Sequence, residues 1–209
     1  MATEKVSRIE IPQPRIIEAH VTLVGVTPLM TCRPSPTDLP GSGKGKGERG
    51  AGAITKSKYA SPEDQYLASR YIVDGKDMFP APAVKAAMLS AIGMLQSAGI
   101  TKLGQKRAKP MFTICALDGT DMMLLRFAKC THDQRVGRNK QGNLITVNRA
   151  CYHHWETDVA VRFDEDLLRL ETIMAILARA GQVGIGAYRR ECGGSFGEFN
   201  VATCEPPTA

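Results

Sequence analysis

Arg189 and Arg190 stand side by side in a run, Val183 to Gly197, that also holds five glycines. Glycine exposes backbone N–H groups and permits close approach, and two guanidinium groups add positive charge. A loop so composed can hold an anionic backbone. Gly184, Gly186, Gly193 and Gly194 would offer main chain, and Tyr188, Arg189 and Arg190 side chains. The same glycines also suit a tight structural turn where no other residue fits, so the loop by itself leaves both readings open.

Basic residues recur in separate segments. Lys85 lies in the first turn of a predicted helix that has no acid there. The helix dipole favours carboxylates in that turn, and a lysine beside free N–H groups suits a phosphate. Thr101 to Pro110 carries Lys102, Lys106, Arg107 and Lys109 and no acid. Lys129 to Arg149 carries Lys129, Arg135, Arg138, Lys140 and Arg149 against the single acid Asp133. Arg33 precedes a tract, residues 41–50, rich in glycine and lysine. Overall, 27 basic and 21 acidic residues give a net charge of +6, which permits a polyanionic partner. Such segments converging on one face would form a groove for single-stranded nucleic acid. RNA and DNA are not distinguished, because 2′-OH contacts leave no signature here.

Other chemistries fit less well. The Gly/Lys tract lacks the spacing of a phosphate-binding P-loop, and Pro34, Pro36 and Pro40 interrupt its approach. Cys130 and His132 with Cys151 and His153 could make a zinc quartet, but Cys-x-His departs from structural-site spacing, so no metal or cofactor is expected. No paired-carboxylate site or nucleophile elbow stands out. A metal-free ribonuclease using one of His20, His132, His153 or His154 is the enzymatic alternative. The six cysteines are scattered, as expected of free thiols in a reducing cytoplasm. No signal segment and no membrane span are expected.

The elements that must position these groups follow from periodicity. Residues 16–27 predict a buried strand. Ser61-Pro62-Glu63-Asp64 predicts a capped helix ending near Tyr71. Val84, Ala87, Met88, Ala91, Ile92 and Leu95 mark the strongest helix, stopped by Gly99. Asp118-Gly119 predicts a hairpin between residues 111–117 and 122–128. Lys140 to Asn143 reads as the tip of an excursion returning through residues 144–147. Val159, Val161 and Phe163 predict a half-buried strand. Asp164 predicts the cap of a last helix whose face is Leu167, Leu170, Met174 and Leu177, with Gly181 as its stop.

This order predicts an α+β fold with a ferredoxin-like (RRM-like) βαββαβ core. The whole chain, 1–209, reads as one domain. Residues 31–77 form a loop-rich insertion with a long, flexible Gly/Lys loop, and 129–156 an inserted β-hairpin thumb. Three patterns carry a resemblance: the opening strand running into Thr27-Pro28-Leu29-Met30, the segment Phe79-Pro80-Ala81-Pro82-Ala83-Val84-Lys85-Ala86-Ala87-Met88, and the Gly184–Gly197 loop. Together they resemble the RAMP superfamily, in particular Cas7-type backbone subunits of CRISPR effector complexes. The ending from Val183 to Phe199 is similar to that of short phage-borne proteins. Ala86 stands where the family has glycine. The resemblance implies a non-catalytic subunit, acting in antiviral defence, that assembles side by side along single-stranded RNA. Its other partners would be copies of itself and further effector subunits, in a prokaryotic or phage-infected cytoplasm. It implies that the thumb reaches a neighbouring copy. A CRISPR-RNA-processing endoribonuclease and a phage structural protein are the competing readings.

Overall fold

The computed structural model describes residues 13–33, 61–138 and 144–205. The predicted Gly/Lys loop lies outside them, as does the excursion tip with Lys140. The described chain runs β1 (Ile16–Gly25), β2 (Leu29–Met30), α1 (Pro62–Ser69), β3 (Ile72–Val73), β4 (Lys76–Pro80), α2 (Pro82–Ser97) and α3 (Gln105–Ala108). It continues with β5 (Phe112–Cys115), β6 (Met122–Leu124), β7 (Lys129–Arg138), β8 (Leu144–His153), β9 (Glu156–Asp164), α4 (Leu170–Val183) and β10 (Phe199–Glu205).

It is a mixed α+β fold with antiparallel sheets. The largest sheet has four strands in the order β10-β1-β9-β5. One face is the core: Ala19, Val21 and Leu23 of β1 and Val159, Val161 and Phe163 of β9 are buried beneath α2 and α4. The buried stripe of α2 is Val84, Ala87, Met88, Ala91 and Ile92, as its periodicity predicts. A second sheet, β2-β8-β7, carries the long β7–β8 hairpin, and a third joins β3, β4 and β6.

Local chemistry sets the boundaries. Ser61 caps α1 through its Oγ, which accepts from the Asp64 N–H at 3.1 Å. Trp155, fully buried, locks the end of the hairpin to the main sheet. Its Nε1 donates to the Thr27 carbonyl at 2.9 Å, and its ring meets Phe199 edge-on at 6.3 Å. A carboxylate network ties α1, β4 and β8 together. Asp77 accepts from Arg70 at 3.0 and 2.6 Å and from the Tyr152 hydroxyl at 2.6 Å.

Four expectations need correction. β1 is buried on one side only: Glu18, His20 and Thr22 share a polar outer face with Asp158 and Arg162. The Asp118–Gly119 turn forms, but its flanks do not pair as a hairpin. β5 pairs with β9 and β6 with β4, so the turn sends the chain from one sheet to another. The last helix starts at Leu170, because the Asp164 carboxylate accepts from the Asp166 N–H and holds residues 165–168 in a turn. Leu167 is left 58% exposed, outside the core stripe. Finally, α4 runs through Gly181, whose missing Cβ lets the Phe199 carbonyl approach, and stops at Gly184, with φ +79°.

Candidate nucleic-acid interface

The glycine-rich loop is clamped onto the segment that follows β1. Gly197 donates to the Pro28 carbonyl at 2.8 Å, and Ala187 to that of Met30 at 2.8 Å. Ile185 closes the loop on itself by donating to Gly197 at 3.0 Å. A Cβ on Gly186 would strike the Met30 carbonyl, and one on Gly194 the Tyr188 carbonyl. Those two glycines therefore serve close backbone packing. Gly193, at φ +76°, faces open space.

Beside this clamp lies a cleft of about 240 Å³. Cys32, Tyr71, Phe79, Pro80, Ala83, Ala86 and Ala87 line one side, and residues 184–187 with Arg189 the other. The three sequence patterns, far apart in the chain, thus meet at one place. Ala86 presents its methyl to the cleft. The nearby start of α2 has no side-chain cap and no acid in its first turn.

Strand alternation gives the β7–β8 hairpin two unlike faces. On the first, His132 stacks on Tyr66 of α1 at 4.9 Å and bonds Asn148 at 2.9 Å, while the Tyr66 hydroxyl meets Cys130 Sγ at 3.6 Å. Burial pushes the Tyr66 phenol up to about 12, with the Cys130 contact adding to it. The second face turns to the glycine-rich loop. The Arg135 guanidinium lies 4.5 Å from the Phe196 ring centre and 5.7 Å from that of Tyr188. Arg149 lies 4.9 Å from Tyr188. Asp133 holds Arg135 through two hydrogen bonds, at 2.6 and 3.1 Å. Arg149 has no acidic partner among the described residues. Guanidinium on an aromatic face is attractive by about 0.5–2 kcal/mol, but every such ring is also a platform for a base.

The remaining candidates fall in different places. Arg189 is tied to Glu191 at 2.8 Å and to the Gly186 carbonyl, and Arg190 to Glu198 at 3.1 Å. These exposed pairs are exchangeable rather than strong. Arg33 is exposed next to Cys32 at the cleft. Burial, and to a lesser degree Cys32, raises the Tyr71 phenol, and the charge of Arg33 opposes that rise. Lys85 is not among the cleft residues. It turns toward β5, 5.6 Å from the Phe112 ring centre, where burial and then Lys109 lower its ammonium. Lys106 and Arg107 are exposed on α3, away from the cleft. Arg138 pairs with Leu144 at the far end of the hairpin ladder.

The zinc quartet is divided. Cys130 and His132 belong to the face that meets α1, Cys151 and His153 to the other, and no metal-binding cluster occurs among the described residues. The histidines are likewise dispersed: His20 bonds Glu18 at 2.9 Å and His153 bonds Thr131 at 3.0 Å. No helix of the described residues is long and apolar enough to cross a membrane. Sequence reasoning missed Phe196, Tyr71 and Phe79 as site residues. Phe196, close to three glycines, was a visible signal for a second ring in the loop beside the expected Tyr188.

No family model matches the chain, and no curated protein does. Among solved structures, the chain is similar to one in the cryo-EM structure of the Type III-B Cmr-beta bound to cognate target RNA. The TM-score is 0.51 at 13% identity over 91% of this chain, which spans 60% of that one. At that identity the likeness is one of fold alone.

Proposed function

We propose that this chain is a non-catalytic subunit that binds single-stranded nucleic acid, RNA in preference to DNA, and assembles side by side with copies of itself. The observation that carries this is the meeting of Arg135 and Arg149 with Tyr188 and Phe196, beside the cleft where the three patterns converge. Cations would hold phosphates there and rings would stack on bases. The strand order β10-β1-β9-β5, with α2 after β1 and α4 after β9, supports reading the core as ferredoxin-like. The hairpin β7–β8 is then the thumb. The fold likeness to a chain of an RNA-bound effector complex supports RNA and further effector subunits as partners. We infer a cytoplasmic setting in a prokaryotic or phage-infected cell.

The test is fluorescence anisotropy with matched labelled RNA and DNA single strands across a salt series. RNA should bind more tightly, and affinity should fall steeply with salt. Intact RNA after prolonged incubation without metal is expected. Cleavage would favour the ribonuclease, and salt-independent binding would remove the groove.

A further inference from the structure

We propose that copies of this chain join head to tail, the β3–β4 turn of one seated in an apolar groove at the far end of α2 of the next. This deepens the self-assembly reading above and rests on it.

The groove lies between the C-terminal ends of α2 and α4 and encloses about 420 Å³. Met94, Leu95, Ile100 and Val183 line it. Met94 is 63% and Ile100 70% exposed, unusual for large apolar side chains gathered in one concavity. Arg179 stands at its rim with no ion pair among the described residues. The other charges there are already engaged, Arg190 by Glu198 and Glu191 by Arg189.

The β3–β4 turn carries the matching chemistry. Ile72 and Val73 are each 43% exposed on a two-residue edge strand. Asp74 at φ +50° and Gly75 at φ +74° make the two-residue turn with positive φ at both positions that suits a tight hairpin. The tip therefore presents an apolar pair followed by a carboxylate with no ion pair among the described residues. Apolar side chains would meet Met94 and Ile100, and Asp74 would meet Arg179.

Position fixes the symmetry. β4 leads directly into the N-terminus of α2, while the groove is at that helix's other end. Sixteen residues of helix separate the ends by about 24 Å. One chain cannot fill its own groove, and a contact between two different patches is heterologous, which adds copies in a row where the rotation between them does not close.

The experiment is sedimentation velocity, alone and on a long single-stranded RNA. Ile72→Glu/Val73→Glu spoils the tip, and Met94→Glu the groove. Each variant should melt as the wild type does, and each should remain single where the wild type forms chains. Mixed one to one, the two variants should form pairs and nothing longer, since the mixture keeps one intact tip and one intact groove. Asp74→Arg with Arg179→Asp in one chain should restore the row that either change alone weakens. Assembly of either apolar variant like the wild type, or a mixture without pairs, overturns the proposal. Binding to a strand short enough for one copy is measured in parallel. If it persists while every assembly fails, the docking is wrong and the nucleic-acid reading stands. If it is absent while rows form, the reverse holds.

Discussion

The two faces of the β7–β8 hairpin share one sequence alternation and have different fates. On the face toward α1, polar groups meet fixed neighbours: His132 with Asn148, Cys130 with Tyr66, Tyr152 with Asp77. On the face toward the glycine-rich loop, two arginines rest on aromatic rings, contacts that a base and a phosphate can replace. The first face holds the hairpin in place and the second leaves charge and rings available. A strand thus separates anchoring groups from the proposed binding groups at intervals of a single residue.

The largest expected effect falls on the anchored side. Asp77→Ala strips the acceptor from Arg70 and Tyr152 in a nearly buried network and should cost about 3–5 kcal/mol in urea unfolding. Full stability in that variant would mean the first face is no anchor. On the open side, Tyr188→Ala should weaken single-strand binding by about 1–3 kcal/mol with little change in melting temperature, and Tyr188→Phe should keep most of it. A large stability loss would make Tyr188 a packing residue like those opposite. Arg149→Ala should lower affinity by about 1–2 kcal/mol and reduce the salt slope by about one. Lys85→Ala, on the β5 side of α2, should cost about 1 kcal/mol of affinity or less. No loss at all would confine the interface to the hairpin and loop.

The smallest effect concerns acid and the outer sheet face. Hydrogen bonding from Arg126, with a lesser contribution from Thr22, holds the Asp158 carboxyl below the usual range against the effect of burial. A carboxyl whose value is lowered on folding adds stability above its unfolded value, near 4, and loses it as pH falls through the lowered one. Stability should therefore decline below about pH 4. Asp158→Asn should flatten that decline by under about 1 kcal/mol, read from urea midpoints across pH.

Much of this was legible in the chain. Ser61 before Pro62 gave the cap, the α2 stripe gave its buried face, and Val159, Val161 and Phe163 gave the inner side of β9. What failed depended on partners remote in sequence. Nothing around Asp118–Gly119 says that β5 will pair with β9, more than forty residues on, and β6 with β4. The late start of α4 hangs on how one aspartate side chain is used. Arg135 and Arg149 were visible as charges. Tyr188 was named too, but its pairing with them, and the part of Phe196, were not legible, because they require both the hairpin register and the folded loop. The same register divides the four zinc candidates between opposite faces.

Trp155 has a practical consequence. It is the sole tryptophan of the chain, fully enclosed, at the joint where the hairpin leaves the main sheet. Its indole donates to Thr27, one residue before the segment on which the glycine-rich loop is clamped. Tryptophan fluorescence therefore comes from a single emitter at the joint beside the proposed interface. Excitation of that one ring gives a label-free optical signal whose blue or red displacement on adding RNA reports whether the joint tightens or loosens.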